Sequence, residues 1–255
     1  MIHSDVCGPM VPNAIGGGCY VVSFIDDLTR FSFCVIIRNK SQVLEEFRRL
    51  CSLIYSQFDT KVAVLVSDNG GEYSGAAFKA ICSENGITHK FTVPDTPQQN
   101  GVAERWNQTI FTKVRAIIVG SNAPGYLWEA AVTCANVLRN CSPTKTQTCT
   151  PWEAWFKKPP LTERLRVWGC DAYSRILAKQ ASKHAPRGQK LSMIGYTDDL
   201  SGYRLICPVS RKVFVRRDVE FFENKFSIGV PSDGGLWLPI GLLDSDSKPH
   251  SCSCR

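Results

Sequence analysis

Two runs rich in β-branched and aromatic residues, C-Y-V-V-S-F-I-D at 19–26 and F-S-F-C-V-I-I at 31–37, flank the polar stretch D-D-L-T-R. Such a pair predicts a β-hairpin. The period then changes. Val43, Phe47, Leu50 and Ile54 recur at three- and four-residue spacing, with Ser41 ahead of them and Glu45 and Glu46 in the first turns. This predicts an amphipathic helix over 41–57 with Ser41 as its N-cap. The apolar run K-V-A-V-L-V at 61–66 has the length and texture of a strand buried on both faces. A helix is expected over 74–84 and a strand over 87–92. The proline- and glycine-punctuated stretch V-P-D-T-P-Q-Q-N-G reads as a loop, followed by a helix from about Asn100 to Val119. A further helix follows Pro124, a residue suited to a first turn, with Leu127, Ala131 and Cys134 along one face. A short first strand, I-H-S-D, ends at Asp5. Strand, hairpin, helix, strand, helix, strand, helix, helix is the order of an α/β class, a mixed sheet with helices packed on it.

After about residue 145 the texture changes. T-P-W-E-A-W-F-K-K-P-P is a proline-bounded aromatic segment. The runs R-V-W-G-C-D-A-Y, S-M-I-G-Y, G-Y-R-L-I-C, K-V-F-V-R-R and V-E-F-F follow, separated by turn signals. Short strands at such regular spacing predict a small all-β barrel. Beyond 227 the chain is rich in Gly, Ser and Pro and reads as a loose tail. The expected organisation is a core over 1–145, a basic proline-aromatic connector over 146–164, a barrel over 165–225 and a tail over 226–255.

Composition narrows the class. The chain has 255 residues, 44% of them apolar and 21% charged, as in globular proteins with a real core. No apolar run approaches the roughly 18 residues of a membrane span. The N-terminus is too short and polar for a signal peptide, so an intracellular protein is expected. The twelve cysteines are irregularly spaced without a C-x-x-C pair, which predicts free thiols in a reducing compartment. The scattered histidines His3, His89, His184 and His250 give no zinc-ligand spacing. The net charge of +7 is unevenly placed: 13 Lys/Arg stand against 12 Asp/Glu up to residue 145, and 17 against 11 after it. Nine basic residues lie within 157–190, opposed only by Glu163 and Asp171. A basic patch of this kind suits a polyanion partner; the plain alternative is a solvated basic linker.

Candidate chemistry comes from three acids. Asp68 directly follows the 61–66 strand, and Glu104 lies in the first turns of the next long helix, with thirty-five residues between them. If the first strand lies beside 61–66, Asp5 and Asp68 project from neighbouring strands and the helix can bring in Glu104. Like charges at close range raise one another's pKa, so such a cluster calls for a cation. Hard divalent ions take oxygen ligands and share substrate phosphates. Two of them about 4 Å apart can activate an attacking oxygen and stabilise a leaving one at phosphorus. Taken singly, Asp68 reads as a turn residue and Glu104 as a first-turn helix acid. Asp26 and Asp27 read as turn residues, Asp95 as a surface loop residue, and Glu72 as a turn residue four positions after Asp68. His3 shares the face of Asp5 on an extended strand and reads as a core histidine.

The motifs H-S-D-V-C-G-P-M, F-I-D-D-L-T-R-F, S-D-N-G-G-E-Y, T-P-Q-Q-N-G-V-A-E-R, R-N-C-S-P-T-K and T-P-W-E-A-W, with R-V-W-G-C-D-A-Y downstream, resemble the integrase of copia-type LTR retrotransposons over about 1–223. The resemblance implies an RNase H-like core with a mixed five-stranded sheet, followed by an SH3-like barrel. It implies metal-dependent DNA 3′-end processing and strand transfer with Mg²⁺ or Mn²⁺. It also implies DNA partners, homo-oligomers on DNA and a nuclear site of action. Carried over by motif, the acids are Asp5, Asp68 and Glu104. P-D-T-P-Q-Q-N-G is similar to the family's active-site loop, in which Asn100 is expected to cap the helix and Gly101 to allow a close backbone approach. Expected DNA contacts are Asn69, Gln98, Asn100, Arg105, Gln108, Lys157, Lys158, Lys179 and Lys183. The family's basic residues two and four places after the glutamate are here Trp106 and Gln108, with Trp106 either stacking on a base or packing in the core. Only four residues precede Asp5, so the central strand is expected to be cut short and the isolated chain weakly active or inactive. Two rivals remain: a non-catalytic DNA-binding remnant, and an RNase H-type nuclease, against which the D-x35-E spacing and the T-P-Q-Q-N-G loop argue.

Overall fold

The computed structural model describes residues 1–92, 97–144, 147–175 and 188–229, with 97–100 described by their backbone. Five strands, β1 (Ile2–Cys7), β2 (Tyr20–Asp26), β3 (Ser32–Ile37), β4 (Val64–Ser67) and β5 (Thr88–Phe91), form a sheet in the order β3-β2-β1-β4-β5. β2 runs antiparallel to both β1 and β3, while β1, β4 and β5 run parallel. This is the mixed five-stranded sheet flanked by helices that the sequence pattern predicts. Alternate residues of β2 feed two cores. Val22 and Phe24 pack with Phe47, Leu50 and Ile54 of α1 (Val43–Phe58). Val21 and Ile25 pack with Ala103, Trp106 and Ile110 of α4 (Pro97–Ser121) and with Ala131 and Cys134 of α5 (Trp128–Asn140). The short α2 (Gly71–Ser74) and α3 (Ala76–Glu84) connect β4 to β5.

Several boundaries differ from the sequence-based expectation. β1 does not stop at Asp5: it runs to Cys7, and all six of its residues pair with β2. Its ladder with β4 is shorter, covering Ile2 and His3. Ser41 does not cap α1. It lies in a 3₁₀ turn, Lys40–Gln42, where the Gln42 side chain accepts from the N–H groups of Arg38 and Asn39 at 2.8 and 3.1 Å. The 74–84 helix is split at Gly75, whose ψ of 151° is extended. α4 starts at Pro97, so Asn100 lies inside the helix rather than at its cap. A proline's fixed φ is pre-organised for a first helical position, and that preference outweighs the asparagine signal.

α5 is bolted to β3 by a buried polar cluster, which explains much of N-V-L-R-N at 136–140. Asn140 accepts from Ser32 N at 3.1 Å and donates to Ser32 O at 2.9 Å. Asn136 donates to the same carbonyl at 2.8 Å and accepts from Trp106 Nε1 at 3.2 Å. Arg139 donates to Arg30 O at 2.7 Å, and burial lowers its guanidinium pKa to about 10.

The proline-bounded aromatic segment is a docked helix, α6 (Pro151–Phe156). Thr150 caps it by accepting from Glu153 N at 3.1 Å. Trp155 is buried and stacks on Phe31 at 5.2 Å between ring centroids. The remaining strands, β6 (Asp171–Arg175), β7 (Gly188–Tyr196), β8 (Tyr203–Ile206), β9 (Val213–Arg216) and β10 (Val219–Phe222), make an antiparallel sheet in the order β10-β6-β7-β8-β9. Its Leu191, Met193, Ile194 and Leu205 share one apolar cluster with α4 and α5. Gly169, at φ 82°, makes the close approach possible: a Cβ there would lie 2.5 Å from Ser121 Cβ. Among the described residues, no helix is long and apolar enough to cross a membrane.

Candidate active site

Parallel pairing of β1 and β4 sets the site. Asp5 lies within β1, and Asp68 follows the last residue of β4. α4 packs against β1 and carries Glu104 and, one turn on, Asn107. Asn107 Nδ2 donates to Asp5 Oδ2 at 2.6 Å. Burial pushes the Asp5 carboxyl above the usual carboxylate range. The charges of Asp68 and Glu104 push it the same way, against the opposing hydrogen bonds from Val6 and Asn107. Asp5 therefore feels the charges of both other acids across the gap between strand ends and helix.

Asp68 and Glu104 are exposed and Asp5 is half-buried. Among the described residues no three His, Cys, Asp or Glu side chains are gathered closely enough to hold a metal ion. The donor chemistry nevertheless fits one. Three carboxylate groups of shared charge, one of them held against its ionisation by burial, make an oxygen-only set suited to a hard divalent cation.

The surrounding residues fix the two strand-borne acids. Gly70 N–H donates to Asp68 Oδ1 at 3.2 Å. Ser67 Oγ donates to Asp68 O at 2.8 Å and lies 2.9 Å from His89 Nε2. Tyr73 is fully buried, with its hydroxyl 2.6 Å from Ser4 Oγ. Burial, with smaller contributions from Asp5, Asp68 and Glu72, holds its phenol far above the usual range, so it remains neutral. Asn107, Ser4 and Tyr73 are absent from the sequence-based site. Asn107 was findable: it lies three residues after Glu104, on the same helical face. Tyr73 and Ser4 carry no such signal, because only the sheet brings positions 4 and 73 together.

The other sequence candidates divide. Asn69 and Gln108 are exposed near the acids' elements. Arg105 is exposed and folds back on its own helix, Nε donating to Gly101 O at 2.8 Å. Lys157 and Lys158 are exposed, with Lys157 Nζ donating to Ala154 O at 2.8 Å. The side chains of Gln98 and Asn100, and all of Lys179 and Lys183, lie outside the described residues. Trp106 is 1% exposed, so of its two readings the structure selects core packing. His3 is a buried histidine bonded to Asp27 at 3.0 Å. Asp26 accepts from Thr29 in the hairpin turn.

The basic patch is thinner than its residue count. Arg164 donates to the carbonyls of Leu200 and Ser201, Arg166 to those of Glu163 and Leu165. Lys190 pairs with buried Asp171 at 2.8 Å. Arg164 and Lys190 are thus partly spent on holding the second sheet, and Arg166 on the segment that leads into it. The ten described cysteines are all free thiols.

Residues 1–97 match the model of the integrase core domain, and residues 170–233 match that of the retroviral polymerase SH3-like domain. The chain is 40% identical over 226 residues, 88% of its length, to the retrovirus-related Pol polyprotein from transposon TNT 1-94 of Nicotiana tabacum. It is 30% identical over 234 residues, 91% of its length, to that from transposon RE2 of Arabidopsis thaliana. It spans 17% and 16% of those two polyproteins. A solved HTLV-2 integrase catalytic core domain in complex with magnesium aligns with a TM-score of 0.46 at 17% identity, covering 60% of this chain and 93% of that one. The integrase core model thus falls on the first sheet and the SH3-like model on the second, and along most of its length the chain is similar to the Pol polyproteins of copia-type plant transposons.

Proposed function

We propose that this chain carries out DNA 3′-end processing and strand transfer with Asp5, Asp68 and Glu104 as its catalytic acids. One observation carries the reading: Asp5 stands on β1, Asp68 directly follows the parallel neighbouring strand β4, Glu104 stands on the helix packed against β1, and the last two bias the ionisation of the first. The three acids would hold Mg²⁺ or Mn²⁺, which when bound activates the attacking oxygen and stabilises the leaving one. The chain's own contribution is placement. Asn107 orients the Asp5 carboxylate, Gly70 N–H orients that of Asp68, and α4 presents Glu104 at the surface. In strand transfer a 3′-hydroxyl attacks a target phosphorus in line, forming a new 3′–5′ phosphodiester, and the 3′-oxygen of the nucleotide on the 5′ side of that phosphorus leaves as a 3′-hydroxyl. No covalent bond to the protein is required.

The reading extends to the whole chain. A catalytic core over 1–145, a connector over 146–164 and a barrel over 165–225 would act on DNA as a homo-oligomer, in the nucleus where target DNA lies. The test is strand transfer by the purified chain with Mn²⁺ or Mg²⁺. E104Q is expected to lower the rate about a thousandfold, the equivalent of about 4 kcal/mol of transition-state stabilisation. D68N is expected to weaken Mn²⁺ binding in calorimetry. Equal Mn²⁺ affinity in D68N and wild type would remove Asp68 from the site. A wild-type chain that binds DNA yet never joins it would favour the second reading, a non-catalytic DNA-binding remnant. The loss of basic character at Trp106 and Gln108 supports that alternative.

DNA affinity offers a separate check. If Lys157 and Lys158 contact phosphates, K157Q/K158Q should flatten the dependence of log affinity on log salt by about 0.9 per lost contact. An unaltered slope would mark both lysines as solvated.

A further inference from the structure

We propose that Glu72, held by Lys40, is a positioning residue for Asp68, so that the Lys40–Glu72 pair acts as a strut beneath the turn carrying that acid. The proposal rests on the reading of Asp68 as a metal ligand.

The turn D-N-G between β4 and α2 is short, and Asp68 is exposed. What aims its carboxylate is the turn itself, through the Gly70 N–H bond to Oδ1 at 3.2 Å. Gly70 is also where a second carboxylate arrives. A Cβ on Gly70 would lie 2.9 Å from Glu72 Oε2 and 3.1 Å from Asp68 Oδ1. Both acids therefore flank one glycine α-carbon, and any side chain there would push them apart. Two bare carboxylates so placed would repel.

Glu72 is not bare. Its side chain is 7% exposed, and Oε1 lies 3.1 Å from Lys40 Nζ, in the 3₁₀ turn before α1. Only the Glu72 end of the pair is buried, Lys40 being 46% exposed, so removing the lysine leaves a largely dehydrated carboxylate without its counter-ion. The next residue, Tyr73, is pinned on the opposite side through Ser4 of β1. The single turn of α2 is thus fixed to the start of α1 by Glu72 and to the central strand by Tyr73. Asp68, three residues before Gly71, inherits its direction from both anchors. Releasing Glu72 would free one of them and return an uncompensated negative charge to the Asp68 turn.

The test uses the full chain and the variants K40M, E72Q, the double variant and K40R. Two readouts are measured: amide hydrogen exchange at residues 69–71 without metal, and Mn²⁺ affinity by calorimetry. Melting temperature monitors global folding. K40M and E72Q should each speed exchange at 69–71 and weaken Mn²⁺ binding about tenfold, the scale at which partners behind a ligand act. The double variant should be no worse than either single one, because both break the same strut. K40R should restore both readouts. Unchanged exchange in both single variants overturns the proposal. So does a loss of Mn²⁺ affinity confined to E72Q, which would make Glu72 a ligand rather than a support. If exchange responds as expected while the wild-type chain binds no Mn²⁺, the strut stands and the metal reading of Asp68 falls.

Discussion

The D5N variant is expected to abolish metal-dependent strand transfer and at the same time to melt higher than the wild type in metal-free buffer. The two effects share a cause. Burial, Asp68 and Glu104 all hold the Asp5 carboxyl above its ordinary value of 3.8. A carboxyl with a raised folded-state pKa binds its proton more tightly when folded. Its contribution favours folding fully below the unfolded pKa and is lost as pH rises through the folded one. At neutral pH the ionised Asp5 therefore opposes folding, and an amide at that position does not. The gap in melting temperature between D5N and wild type should be small near about pH 3 and widen toward neutrality. A gain of about 1 kcal/mol, common when a functional site is relaxed, corresponds to roughly 2–4 °C for a chain of this size. Mn²⁺ should then close the gap by stabilising only the wild type, through mass action on the folded state. Parallel melting curves at every pH, or a D5N variant that responds to Mn²⁺ like the wild type, would disprove the account.

The N136A variant should show the largest loss of stability. Asn136 is 7% exposed; its side chain accepts from Trp106 Nε1 and donates to Ser32 O. Ser32 O keeps a second donor in Asn140, so its loss is partial. The indole N–H has no such reserve, and a buried unpaired donor costs about 1–3 kcal/mol. The cavity left by the side chain adds to this. A total of about 3 kcal/mol implies a fall of roughly 6–12 °C. The W106F background separates the terms. With the indole N–H already gone, N136A should cost markedly less than in the wild type, a coupling of the kind seen between residues in direct contact. Simple additivity would show that Asn136 supports β3 alone. Because α4 carries Asn107 and Glu104, N136A is also expected to slow strand transfer at temperatures well below its melting point.

Local pattern was enough for the elements. The period-two runs of the hairpin and the spacing of Val43, Phe47, Leu50 and Ile54 each encode a face, and those four residues are buried in α1. Such signals are local because burial follows the repeat of the backbone itself. The resemblance was legible for a related reason: its motifs are contiguous strings, and the integrase core and SH3-like models match parts of the chain. Asp68 and Glu104 could be singled out as strand-end and helix-start acids of a recognisable spacing, and the structure puts both within electrostatic reach of Asp5.

What the tertiary structure decided is everything that depends on which elements touch. Pairing with β2 across all six residues carried β1 past Asp5, where the sequence offered no stop signal before Gly8-Pro9. Trp106 could have faced DNA or core; the packing of α4 on α5 buried it. Arg164 and Lys190 counted as patch charge until the second sheet and its loops gave them carbonyls and a carboxylate to hold. Ser4 meets Tyr73, Asp5 meets Asn107 and Lys40 meets Glu72 only because parallel and antiparallel pairing set chain segments side by side. A sequence shows periodicity along one chain direction. Hydrogen bonds and charge pairs between distant segments follow from how the sheet orders its strands, and that order is a property of the packed whole.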